Sequence, residues 1–223
     1  MNKTLLLLIP MIVGAHDMWL EKSPQNYTLK YGHLHPTKAH GGSKEMPYDA
    51  KGLKEVLCLK GTNVQHLNAA KRYPIKIAKQ CDALYVRLDM GYFTKTPYGT
   101  KHLPKNKTKM ALKSWHSIES VKRVDGTRDT LLGKHLEIVR LNTPQKGEKA
   151  RLQVYFDGKP SAGVPVAYDG SVRGATDKEG RINIRLKHGG LQNIQATRKT
   201  PCKDRSMCDE KIETATLNFE VGS

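Results

Sequence analysis

The sequence predicts an all-β protein made of two immunoglobulin-like or prealbumin-like β-sandwich domains, the first carrying long loop insertions. Three observations lead there. Short runs rich in Val, Ile, Leu and Tyr alternate apolar with polar side chains, the pattern of half-buried strands. In the second half these runs are separated by turn signals, Asp157-Gly158, the cluster 176–180 and Gly189-Gly190, spaced as in a small antiparallel sandwich. No amphipathic helical pattern longer than about twelve residues emerges.

In the first half, residues 27–31, 56–59, 83–88 and 136–141 have the composition of strands. Between them, residues 92–113 are expected to form a long basic loop with two prolines and little periodicity. The best short helix candidate is 115–124. In the second half, strands are expected over 150–156, 164–168, 181–186, 191–197 and 215–221, with Pro165 marking 164–168 as an edge. The predicted organisation is a leader over residues 1–15, an N-terminal β domain over 16–142 and a C-terminal sandwich over 143–223, joined near Asn142-Thr-Pro144.

The leader reading rests on Lys3, an apolar core from Leu5 to Val13, and the small residues Val13-Gly14-Ala15. Together they have the form of a signal peptide cleaved after Ala15. The apolar stretch is far shorter than the ~20 residues that span a bilayer, so no transmembrane segment is expected in the mature chain. Export to the periplasm is expected, and with it an oxidising setting. Four cysteines then read as disulfides. Of the three possible pairings, the sequence-local one, Cys58 with Cys81 and Cys202 with Cys208, is preferred. Neither spacing is that of a zinc knuckle.

With 38 Lys and Arg against 21 Asp and Glu, the chain carries a formal charge of +17. That invites a nucleic-acid reading, yet the charges are dispersed, no nucleic-acid motif is present and the address is wrong. No nucleic-acid partner is expected. Nor is there a nucleophile elbow or a convincing catalytic triad, and no enzymatic activity is expected.

Histidines carry the chemistry. Cleavage after Ala15 makes His16 the first residue, so that its α-amine and ring Nδ1 can close a six-membered chelate on one metal ion. Both nitrogens can lose their protons near neutral pH. A second group, His33, His35 and His40, lies in Tyr31-Gly-His-Leu-His-Pro-Thr-Lys-Ala-His-Gly-Gly42, three of the nine histidines within eight positions. In an extended chain His33 and His35 share a side, and Pro36 with Gly41-Gly42 can bend His40 back toward it. Nitrogen-rich sites suit Ni²⁺, Co²⁺, Cu²⁺ or Zn²⁺ rather than Ca²⁺ or Mg²⁺. The predicted ligands are His16, His33, His35 and His40. His116 is read as a packed residue or a further ligand, Met18 as core. His66, His102, His135 and His188 are read as isolated.

A set of segments runs along nearly the whole mature chain: Ala15-His-Asp-Met-Trp-Leu-Glu21, Tyr31-Gly-His-Leu-His35, Gly91-Tyr-Phe-Thr-Lys-Thr-Pro97 and Leu136-Glu-Ile-Val139. It continues through Asp157-Gly-Lys-Pro-Ser-Ala-Gly-Val-Pro-Val166, Thr176-Asp-Lys-Glu-Gly180 and His188-Gly-Gly-Leu-Gln192. In their combination the chain resembles periplasmic accessory proteins of nickel/cobalt uptake systems, the NikM-like nickel-transport family. The resemblance implies an exported two-domain β protein that binds Ni²⁺ or Co²⁺ and serves inner-membrane nickel/cobalt transporter subunits. Alternatives are a copper carrier or copper-dependent oxidase using the same N-terminal histidine, and a structural adhesion module. The high positive charge repels a bare divalent cation at long range. It is expected to serve solubility, or contact with an anionic chelate or the acidic face of the inner membrane.

Overall fold

Alternating burial along the strands sorts the described residues into three sheets. In this computed structural model, residues 16–34 and 44–222 are described. The expected leader, and the segment carrying His35 and His40, lie outside the described residues. In chain order the strands are β1 (Asp17–Lys22), β2 (Tyr27–His33), β3 (Lys44–Glu45), β4 (Leu53–Lys60), β5 (Asn63–His66), β6 (Lys76–Ile77), β7 (Ala83–Thr96), β8 (Gly99–Lys101) and β9 (Lys113–Val124). They continue as β10 (Glu137–Arg140), β11 (Lys149–Phe156), β12 (Lys159–Pro160), β13 (Pro165–Tyr168), β14 (Ser171–Ala175), β15 (Arg181–Arg185), β16 (Gly190–Pro201) and β17 (Glu210–Val221). Among the described residues the helical content is two short 3₁₀ turns, Ala50–Gly52 and Lys105–Lys107. The all-β, sandwich-like class is as the sequence predicts.

A central sheet runs β14-β13-β16-β17-β9-β7-β4-β5, with β8 added to β7. It crosses residue 142 through the parallel pair β9–β17, Trp115 opposite Glu210 through Val124 opposite Phe219. A small sheet, β1-β2-β3 with β6, covers one face. A second, β10-β11-β12 with β15, covers the other. Side-chain alternation assigns the cores. Leu84, Val86 and Leu88 of β7 and Val121 of β9 join Met18, Leu20, Tyr27 and Leu29 on the first face. Ala83, Val124, Ala215, Leu217 and Phe219 join Ile138, Leu152, Val154 and Ile184 on the second. The two sandwiches therefore share one sheet.

Three local expectations need correction. The helix candidate 115–124 belongs to strand β9. Lying between β7 and β17, with both faces covered, it lacks the apolar–polar alternation that marks a half-buried strand. The start of the expected basic loop, 92–96, continues β7, with Phe93 opposite Trp115 and Lys95 opposite Lys113. The strand holding Pro165 is internal, flanked by β14 and β16, and tolerates the proline as its first residue. The turn chemistry fares better. Asp157-Gly158 holds positive φ at both positions (51° and 74°), as a two-residue hairpin turn requires, and so does Asp169-Gly170 (48° and 70°), which the sequence pattern did not single out.

Both disulfides are the sequence-local ones. Cys58–Cys81 joins β4 to the residues before β7 with Cα atoms 5.5 Å apart, and Cys202–Cys208 closes the β16–β17 hairpin at 5.8 Å. Among the described residues no helix is long and apolar enough to cross a membrane.

Candidate metal centre

The strands β1 and β2 pair antiparallel, Met18 opposite Tyr31 and Leu20 opposite Leu29. Paired residues project to one side, so Met18, Leu20, Leu29 and Tyr31 all face the central sheet. His16 and His33, each two residues further along, end this inward row. Their imidazole centroids lie 4.9 Å apart, and the Tyr31 hydroxyl shares a 3.0 Å hydrogen bond with His16 Nδ1. The structure thus brings together two of the four predicted ligands. His35 and His40 lie outside the described residues. Among the described residues no group of three or more His, Cys, Asp or Glu converges as a metal site.

Residues far along the chain hold this end of β1. The Asp17 carboxylate, buried at 6% exposure, accepts from Asn193 Nδ2 (2.8 Å) and Gln195 Nε2 (3.1 Å) through Oδ1 and from Leu34 N (3.0 Å) through Oδ2. Gln195 Nε2 also donates to the His16 carbonyl at 3.3 Å. One turn of the pleat further on, Leu20 N donates to Asn218 Oδ1, and Arg123 Nη1 donates to the Leu20 carbonyl. Each of these polar groups taken from water finds a partner, which is the condition for burying it. The position of His16 is therefore fixed by β9, β16 and β17.

The central sheet beneath is polar. Thr214 is opposite Glu119 and Thr216 opposite Gln195, and β17 and β9 present Ser117, Glu119, Thr214 and Thr216 on the same face as Val121. Burial lifts the Glu119 carboxyl to about 8, against hydrogen bonds from Ser117 and Thr214 that favour its ionised form. Burial likewise raises the Tyr31 phenol, and the nearby Glu119 charge adds to the rise. Thr216 Oγ1 is buried with no hydrogen-bond partner among the described residues. The His16 imidazole is pushed below its ordinary range by burial and then by His33, with Asp17 opposing. His16 is therefore neutral near pH 7, the form a metal ligand needs.

Chelation through the His16 amine and Nδ1 requires the Tyr31 hydroxyl to release Nδ1. The sequence reading missed Asp17, Glu119, Gln195 and Thr216. Only Asp17 left a local signal, a carboxylate in an otherwise apolar run. Four other histidines are engaged elsewhere, and His66 is exposed on β5. His116 stacks on Tyr92 at 4.5 Å and its Nε2 meets Asp89 Oδ1 at 2.7 Å. His102 stacks on Phe93 and bonds the Met90 carbonyl. His188 meets Asp169, and His135 approaches Glu213. Met18 is fully buried in the core.

No curated protein and no solved structure matches the chain. A family described as a domain of unknown function, DUF4198, matches residues 13–200, from the start of the histidine strand through nearly all of β16, and the chain belongs to that family.

Proposed function

We propose that this protein is an exported, non-enzymatic carrier of a divalent transition-metal ion, Ni²⁺ first and Co²⁺ next, which it presents to an inner-membrane importer. One observation carries the reading: the His16 and His33 rings lie 4.9 Å apart at the end of the paired strands β1 and β2. His16 is also the residue that cleavage after Ala15 would leave first. Two imidazoles and the freed amine supply three nitrogens of a borderline metal's preferred set, and His35 and His40, just beyond β2, are the candidates to complete it. The two disulfides fit an oxidising compartment, and the NikM-like sequence resemblance supports nickel or cobalt as cargo. Neutral nitrogen ligands hold the ion without a fixed counter-charge, which suits an ion that must be handed on.

Calorimetry with Ni²⁺ tests this on two forms of the mature protein, one beginning at His16 and one with a single extra residue before it. The expected result is about one Ni²⁺ per native chain and at least tenfold weaker binding by the extended chain. Equal affinity would remove the amine from the site. Absence of binding by both would remove the function.

A further inference from the structure

The segment from Lys95 to Lys113 has no role in the site described above, and it is unusual on two counts. Residues 90–118 contain six lysines and no Asp or Glu. The same segment holds four of the eight exposed large hydrophobic side chains among the described residues: Tyr98 (85% exposed), Leu103, Met110 and Leu112 (64%).

The structure explains how such a segment is displayed. The last residues of β7 fold back on β8, Thr94 opposite Lys101 and Thr96 opposite Gly99, which puts Tyr98 in the connecting turn. The chain then leans on the β16–β17 hairpin, with Lys105 N and Asn106 N donating to the carbonyls of Met207 and Ser206. The Cys202–Cys208 disulfide closes that hairpin. Lys105 pairs with Asp209 and Lys113 with Glu210, while Asp204 is occupied by the Ser206 amide and hydroxyl. Lys95, Lys101, Lys107 and Lys109 remain exposed without an ion pair among the described residues, and Lys203 and Arg205 stand exposed on the supporting hairpin.

We infer that this tongue is a docking surface for an anionic phospholipid bilayer. Cations and single apolar side chains alternate along it, so that lysines can meet headgroups while Tyr98, Leu103, Met110 and Leu112 enter the interface. With no carboxylate between residues 90 and 118, it lacks the mixed-sign pattern that fixes register on a protein partner.

The placement has a directional consequence. Tyr27 of β2 donates to Asp125, beyond the Val124 end of β9, whereas Tyr31 lies near Glu119. Strand β2 therefore runs toward the Lys113 end of β9, and His33 and the tongue lie toward the same end of the central sheet. Docking would turn the histidine end toward the membrane. The surface itself requires no metal, so its test is independent of the cargo.

The test is co-sedimentation of the metal-free protein with vesicles of phosphatidylcholine alone and of phosphatidylcholine with phosphatidylglycerol in equal parts. Binding is expected to the anionic vesicles only, and to be released by high salt. Lys107→Gln with Lys109→Gln should weaken it roughly 30-fold, and Met110→Ser with Leu112→Ser should weaken it at constant salt. Lys146→Gln with Lys178→Gln, exposed lysines outside the tongue, should leave it unchanged, and circular dichroism should be the same for all variants. Three results would overturn the inference: no binding to anionic vesicles, equal losses from the tongue and control lysines, or no effect of the serine pair. Retention on polyglutamate without vesicle binding would likewise overturn it, assigning the tongue to an acidic protein.

Discussion

Tyr31, hydrogen-bonded to His16, and Glu119 near it have measurable consequences, those of Glu119 without any metal. Glu119 holds its proton to about pH 8 in the folded protein, while an unfolded glutamate loses it near 4.3. Between those values the folded state binds a proton that the unfolded state lacks, so stability falls as pH rises through that window and levels off above it. Urea midpoints should drop from pH 5 to pH 8. Glu119→Gln should flatten that slope and be the more stable form at pH 8, and an unchanged slope would place the group in water rather than between the sheets. Tyr31→Phe removes the hydroxyl that shares a hydrogen bond with His16 Nδ1. Freed of that competitor, Ni²⁺ should bind a few-fold more tightly by calorimetry, whereas weaker binding would make the phenol a contributor rather than a competitor.

Single elements show where sequence pattern succeeds and where it cannot. Strands β11 and β17 were legible because each carries a regular row of buried apolar residues, Ala150, Leu152 and Val154 in the first case, and β15 because Ile182 and Ile184 alternate with polar residues. Strand β9 was not, because it carries Lys122 and Arg123 into the interior and has sheets on both faces. Lys122 Nζ lies 2.7 Å from Asp129 and 2.8 Å from Glu137, all three fully buried. Backbone amides of Leu132 and Gly133 complete the Glu137 shell. Removing the cation alone would leave two carboxylates buried and unpaired. Lys122→Met should therefore cost about 3–5 kcal/mol in chemical denaturation, and a change under about 1 kcal/mol would mean that the group is hydrated. The disulfides differ in reach. Cys58–Cys81 spans 23 residues and Cys202–Cys208 only 6, so replacing each pair by alanine should cost about 3 and about 2 kcal/mol respectively in the chain-entropy model.

At the scale of the molecule, the meeting of His16 and His33 was within reach of the sequence, since β1 and β2 form a local hairpin. The floor of the site was not, because Glu119 and Thr214 come together only through the parallel pairing of β9 with β17. That pairing makes the histidine strand depend on the far end of the chain. Its anchors Asn193, Gln195 and Asn218 all lie beyond residue 142, and β17 covers one edge of β9. A fragment ending at residue 142 would lose these anchors and expose the long unpaired edge of β9, an aggregation template. It should therefore be unfolded or aggregated, with a collapsed spread of amide resonances. The intact protein should melt in one calorimetric transition. Added Ni²⁺ should shift that whole transition upward, by about 2.7 kcal/mol at a free concentration one hundred times its Kd. Two separable transitions, only one of them moved by the metal, would mean that the shared sheet parts at the β9–β17 seam and that the regions on either side of residue 142 fold independently.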